Sequence, residues 1–337
     1  MIQYKYHRAA SLDDVVKVLK EYGGKARIVA GGTDIMVQIH EKDKRWKDLQ
    51  CLLDITYLDK ELRYISEDEE YVYIGPLSTH TDLEQSEIIA KHIPFLGWAS
   101  ATVGSPQIRN RGTLGGSIGN AFPASDPLPA LIAADALIKV YGQDGERVCL
   151  LKDFYEGKGS LKLEPGEFIR EFVVKKLPEG TRMGFSKLGR RKALAISRLN
   201  CAAALTMDSE GTITEARIAP GCIFILPDRV EKAEQVLIGQ KPSEELFAKA
   251  GKAVSEVMIE RTASAGPPSI RSLRSRKSYF GPCARQQEWR YSSGEDENKF
   301  YIKRKALPGG GKTPPEAFGY VERRPAPDRY QGRMRNR

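Results

Sequence analysis

The chain has little with which to ligate a metal or cross a bilayer. Its five cysteines, Cys51, Cys149, Cys201, Cys222 and Cys283, are scattered with no C-x-x-C pairing, which excludes a zinc ribbon or an iron–sulfur ligand set on this polypeptide. They read as reduced thiols used as small apolar residues. The four histidines, His7, His40, His80 and His92, lack metal-ligand spacing, and no chemistry is assigned to them. No run of about 18 apolar residues is present, and the opening "MIQYKYHRAASLDD" has no apolar core of a secretory signal. A cytoplasmic protein without a membrane span is therefore expected. Missing too are the G-x-G-x-x-G spacing of a Rossmann loop, the G-x-x-x-x-G-K-S/T phosphate loop and any internal repeat.

What is present is enough for a sizeable core. The chain has 337 residues, 41% of them hydrophobic, a length that favours two or more domains. Its net charge of +9 is unevenly placed: residues 263–337 hold 17 Lys+Arg against 7 Asp+Glu, which leaves 36 and 37 for everything before them. The body is nearly neutral. The basic excess sits in a tail without helical or strand period, broken by "GPP", "LPGGGKTPP" and "RRPAPD", so a nucleic-acid-binding protein is a reading carried by that tail alone.

Ser11 opens a helix, with Asp14 as capping-box partner, an apolar stripe at Val15, Val16 and Leu19, and a stop at Gly23 and Gly24. "ARIVA" (26–30) predicts a short buried strand running into "GGTD" (31–34). "LLDIT" and "YVYIG" predict further strands, and helical spacing covers 81–92 and 94–103. Asp126 followed by Pro127 predicts an N-cap and first-turn proline for a helix to residue 136, and "ALIKVYG" a strand. Beyond residue 183 an antiparallel pair, "CAAALTM" and "TITEARIA", is joined by "DSEG", and helices follow near 227–237 and 242–259. A domain boundary is expected near residue 178, at "LPEGT".

Two glycine-rich motifs carry the chemistry. "VAGGTD" supplies Thr33, and "GTLGGSIGN" (112–120) supplies Thr113 and Ser117. Glycines let a second body approach the backbone, and successive bare N–H groups form an anion nest. One such loop can equally be a hairpin or a packing point. Two of them point to a pyrophosphate held between nests, hence to a dinucleotide in an extended pose.

"IVAGGTDI", "TVGSPQIRNRGTLGGSIGNAFPASDPLPAL", "FSKLGRRKALAISRLNCAAAL", "EARIAPG" and "PDRVEKAEQVLIG", in that order, resemble the FAD-binding subunit of the molybdenum hydroxylases. This is the group of xanthine dehydrogenase, the carbon monoxide dehydrogenase medium subunit and 4-hydroxybenzoyl-CoA reductase. The resemblance covers about residues 1–262. It implies an α+β fold: a two-lobed FAD-binding domain of the p-cresol methylhydroxylase type over 1–178, with FAD between the lobes, and a small α+β C-terminal domain over 179–262. It also implies that the amides of Ala30, Gly31, Gly32, Thr33, Asp34 and Ile35, and those of Thr113, Leu114, Gly115 and Gly116, grip the pyrophosphate and ribitol. Val29 and Gly104 belong to the same binding positions. Asp126 would bind an FAD hydroxyl, cap a helix, or both. Val103 and Ile169 would pack near the flavin or simply in the core. Lys187 would lie close to FAD, where a cation favours the phosphates or the reduced flavin, or stand as a solvated strand lysine. Arg109 and Arg111 would meet phosphate, a partner or only solvent, and Tyr155 is a candidate for closing over the ring. No catalytic Ser, Cys or His is expected, since the isoalloxazine supplies the redox chemistry.

The resemblance further implies partners: a molybdenum-cofactor subunit that hydroxylates substrate and a 2Fe-2S subunit whose electrons reach this FAD and then NAD or another acceptor. The alternative within the fold is a stand-alone FAD-dependent reductase like those of cell-wall precursors. The tail departs from the family pattern. With free codon choice, shifted reading frames can encode a family-like C-terminus and then the start of an iron–sulfur subunit. Residues 263–337 are thus expected to be a frameshift product or an authentic disordered extension.

Overall fold

The computed structural model describes residues 3–263 except 158 and 192, with side chains to 261, and the backbones of 287–290 and 301–304. The first helix, Leu12–Tyr22, starts where Ser11 Oγ accepts the Asp14 N–H and ends at Gly23, whose φ is 53°. The expected capping box closes one residue out of place. Asp14 Oδ2 takes the Ala10 N–H at 3.0 Å, together with His7 Nε2. This helix covers a parallel sheet in which Cys51–Asp54 lies between Lys5–Arg8 and Ala26–Val29. Every residue of the central strand is buried, as parallel sheets covered on their faces require, whereas Ala26–Val29 is only partly buried. Arg8, Asp54 and Val29 align at the carboxyl edge, so the "GGTD" turn leaves the sheet where open α/β sheets place ligands.

The second lobe is a five-stranded antiparallel sheet in the order Ile65–Glu67, Tyr71–Ile74, Phe168–Lys175, Leu137–Gly142, Gly145–Leu150. Its apolar face, with Val72, Ile74, Ile138, Val140 and Phe172, packs on the helices His80–Gln85, Glu87–His92, Pro94–Ala101 and Pro127–Ala133. The helix expected over 81–92 is two helices. Ser86 adopts an extended backbone (φ −68°, ψ 125°), and its hydroxyl accepts the Ile89 N–H, starting a new helix instead of continuing the old one.

The strands Arg182–Leu188, Leu199–Met207 and Ile213–Gly221 form the C-terminal antiparallel sheet. Leu205, Ile213 and Ile218 pack with residues of the helices Glu231–Leu237 and Glu244–Ala263, while Met183, Ala202, Ala204 and Ala219 join the core of the second lobe. Small side chains on this sheet let the helices Pro94–Ala101 and Pro127–Ala133 lie against it.

The fold is α+β. Past residue 263, Gln287–Arg290 pairs antiparallel with Tyr301–Arg304, two strands with no counterpart among the expected elements. The disorder and frameshift expectations for the rest of 263–337 lie outside the described residues. No described helix is long and apolar enough to cross a membrane.

Candidate cofactor-binding site

The two glycine motifs touch. A Cβ on Gly31 would fall 1.9 Å from Arg111 O, 2.6 Å from Arg111 C and 3.0 Å from Gly112 Cα. A Cβ on Gly112 would lie 3.1 Å from His80 Cδ2 and 3.4 Å from Thr33 Oγ1. Gly31 is glycine because the chain meets itself there, backbone on backbone, while a Cβ on Gly112 would crowd the His80 ring and the Ile108 carbonyl. Asn120 Nδ2 adds a hydrogen bond to Asp34 Oδ2 at 3.1 Å. Motifs some 80 residues apart in the sequence thus share one wall.

Their amides fare differently. In the first motif Gly32 has a φ of 73°, and the N–H groups of residues 31–35 have no hydrogen-bond acceptor among the described residues. Five bare donors stand in succession at the edge of the parallel sheet, a nest for an anion.

The second motif differs from the open loop expected of it. It is a short helix, Leu114–Gly119, capped by Thr113. The Leu114 N–H donates to Ser78 O at 2.9 Å, that of Gly115 to Pro76 O at 2.9 Å, and that of Gly116 to Thr113 Oγ1 at 3.0 Å. In this structure the chain itself satisfies these three amides, unlike those of the first motif. Gly115 serves packing, since a Cβ there would fall 2.6 Å from Pro76 Cβ. Gly116 is exposed, and a Cβ on it would meet only Thr113 Oγ1 at 3.0 Å. Gly119, also exposed, would meet only Ile169 Cδ1 at 3.8 Å, so Gly116 and Gly119 are the glycines of this motif that leave room for something other than the protein.

Asp126 is the hub of the neighbouring site. It stands at the N-cap position of Pro127–Ala133, but its backbone is helical and its side chain caps nothing. The carboxylate is claimed elsewhere. Oδ2 takes Lys187 Nζ at 2.5 Å, and Oδ1 takes Ser197 Oγ at 2.5 Å and Asn200 Nδ2 at 2.9 Å. Lys187 Nζ also donates to Thr102 O at 3.0 Å. At 6% exposure the carboxylate demands such partners. Two residues singled out separately in the sequence, Asp126 and Lys187, are therefore one ion pair, and Lys187 is no solvated strand lysine. Ser197 and Asn200 escaped the sequence reading. "SRLN" carries no pattern that separates a buried ligand of a carboxylate from an ordinary strand start.

Val103 is half-buried, and Gly104 (φ 47°) turns tightly enough that a Cβ would strike Ile108 at 2.9 Å. Arg109 is paired: Nε donates to Glu84 at 2.9 Å and Nη1 to Val103 O at 3.3 Å. Arg111 is exposed. Ile169 is buried at 8%, its Cδ1 3.8 Å from the Cβ position of Gly119. Tyr155 is buried in the core, which pushes its phenol pKa up. Among the described residues its hydroxyl has no partner, and Tyr155 lines a cavity of about 20 Å³ beside Pro123, Pro129 and Cys222, room for about one water. His80, under the seam of the two motifs, is 3% exposed. Burial, with Arg109 nearby, lowers its pKa to about 4.

Residues 2–175 match the FAD binding domain in molybdopterin dehydrogenase, and residues 185–273 match the CO dehydrogenase flavoprotein C-terminal domain. The chain belongs to the FAD-binding subunits of the molybdopterin dehydrogenases. Among relatives of this family, the nicotinate dehydrogenase FAD-subunit of Eubacterium barkeri is 34% identical over 243 residues, 71% of this chain and 81% of its own length. The xanthine dehydrogenase FAD-binding subunit of Escherichia coli O157:H7 is 34% identical over 68% of this chain and 77% of its own. Among solved structures, a chain of the carbon monoxide dehydrogenase of Hydrogenophaga pseudoflava superposes with a TM-score of 0.70 at 30% identity, covering 76% of this chain and 87% of that one. A chain of quinoline 2-oxidoreductase from Pseudomonas putida 86 gives 0.69 at 28%, covering 75% and 86%. The donor set suits this family's cofactor: a run of bare amides fits the diphosphate of FAD, and the exposed face of Gly116 leaves space beside it.

Proposed function

We propose that this FAD-binding subunit holds the diphosphate of FAD on the bare amides of residues 31–35, with the exposed face of Gly116 as the opposing wall and the Asp126–Lys187 pair, with Val103, Gly104 and Ile169, beside the flavin end. The observation that carries this reading is the succession of unsatisfied amides locked in place by the contact between Gly31 and Arg111. The remaining expected positions, Val29, Ala30, Thr113, Leu114 and Gly115, then act as the frame of the site. FAD, when bound, supplies the electron-accepting ring. The chain binds it, orients it and presents a buried cation.

We further infer that the subunit works in a complex with a molybdenum-cofactor subunit and a 2Fe-2S subunit, taking electrons from the clusters and passing them to NAD or another acceptor. The names of the relatives support this, among them the carbon monoxide dehydrogenase medium chain of Hydrogenophaga pseudoflava. Titration of the apo chain with FAD tests the first part: saturable quenching of flavin fluorescence is expected, and its absence in folded protein would refute it. Purification with the neighbouring gene products, followed by analysis for FAD, iron and molybdenum, tests the second. A protein that carries FAD yet purifies alone would support the stand-alone reductase.

A further inference from the structure

Asn200 is 3% exposed, and its amide has a single seat. Nδ2 donates to Asp126 Oδ1 at 2.9 Å and to Ser125 O at 3.4 Å, and Oδ1 accepts from Cys222 Sγ at 3.6 Å. Behind it stands Gly221, where a Cβ would fall 2.0 Å from Asn200 Oδ1 and 3.0 Å from Cγ. With donors aimed at a carboxylate and the carbonyl aimed at a thiol, only one orientation of the amide satisfies all partners. Ser197 Oγ shares Asp126 Oδ1, so Oδ2 is left to Lys187. Cys222 also reaches Ser197 O at 3.6 Å, from a backbone with a φ of 65° that side chains rarely adopt. The position of one buried cation thus depends on residues from the helix start at Asp126, the C-terminal sheet and the turn after it.

We propose that Asn200 is a positioning residue for flavin reduction: by locking Asp126, it fixes Lys187 and so sets how strongly that charge stabilises the reduced, more negative flavin. This inference rests on the FAD site proposed above. If Asn200 is removed, Oδ1 loses a donor, the carboxylate draws more strongly on Lys187, and the field of the cation at the flavin weakens, because partly buried charges interact over short distances with little screening. Reduction of the bound flavin becomes less favourable.

The test uses the full chain loaded with FAD, reduced by dithionite against a reference dye. Asn200→Leu is expected to lower the equilibrium constant for two-electron reduction at least tenfold, a reduction potential about 30 mV more negative. Ser197→Ala, which removes the other Oδ1 donor with little change of volume, is expected to shift it in the same direction by less. Should Asn200→Leu fail to fold, Ser197→Ala decides. A residue that merely packs would change the melting temperature and leave the potential alone. FAD-loaded variants within threefold of the wild-type constant, or shifted to favour reduction, would overturn the inference. A wild-type chain that takes up no FAD would instead bring down the site reading beneath it.

Discussion

His80 shows how much a single buried group can add to the behaviour of this molecule. It is neutral in the fold because burial lowers its pKa to about 4 from an ordinary 6.5. The unfolded chain takes a proton through pH 6.5 while the folded chain does not, so stability is full above that value and drains as the pH falls toward 4. The expected loss between pH 7 and pH 5 is on the order of 2 kcal/mol. Urea unfolding at the two pH values should show it, and His80→Gln should flatten the difference; an equal slope in both proteins would contradict the assignment. The glycines make a second contrast. Gly31→Ala must push a backbone carbonyl that lies 1.9 Å from the new Cβ, so it should destabilise the apo protein by about 1–3 kcal/mol or more, as overpacking does, and weaken FAD binding with it. Gly116→Ala meets only a side-chain oxygen. Its apo stability should change by less than about 1 kcal/mol, while FAD affinity falls. Comparable loss of stability in both variants would mean that Gly116 too is reserved for the fold.

At the scale of elements, local capping decides where helices break and which amides stay free. Ser86 ends one helix and starts the next, and Ser86→Ala should cost about 1 kcal/mol of stability, measured by thermal unfolding, as loss of an N-cap does elsewhere. No effect would show that Ser86 Oγ does not cap the second helix in solution. Strands, turns and the antiparallel C-terminal pair were legible because period-two runs and Gly/Asp turns are local signals. The break at Ser86 was not, since apolar spacing continues across it and only the serine's hydroxyl marks the site. The second glycine motif hides its helix for a related reason. "GTLGG" looks like a loop, yet Thr113 caps it into a helix, and its amides are taken by Pro76 and Ser78, residues that no local pattern connects to it.

Across the whole molecule, the division expected near residue 178 meets a shared interior. Met183, Ala202, Ala204 and Ala219 lie in one core with residues from 72 to 174. Arg229 bridges Asp135 at 2.6 Å and forks onto Glu234, whose Oε1 also accepts the Ile218 N–H. We propose that the parts on either side of residue 178 are domains that unfold as one. Calorimetry should show a single transition over 1–263, and two resolved transitions would refute it. Arg229→Ala leaves the 3%-exposed Glu234 without its cation, and should destabilise the protein by about 3 kcal/mol, the lower end for a broken buried pair. Chemical denaturation reads it, and a change below about 1 kcal/mol would show that the pair is solvated.

The order of elements, the need for a close approach at two glycine motifs and the family resemblance were fixed by local pattern, because capping, period and turn chemistry act between near neighbours in the chain. Only the tertiary structure decided which body makes each approach. Gly31, Gly112 and Gly115 face the protein's own backbone or Pro76, and residues 31–35 keep the free donors. It alone also joined Asp126 to Lys187, Ser197 and Asn200. A hydrogen bond depends on distance in space, and sequence separation says nothing about which buried donor a carboxylate will find.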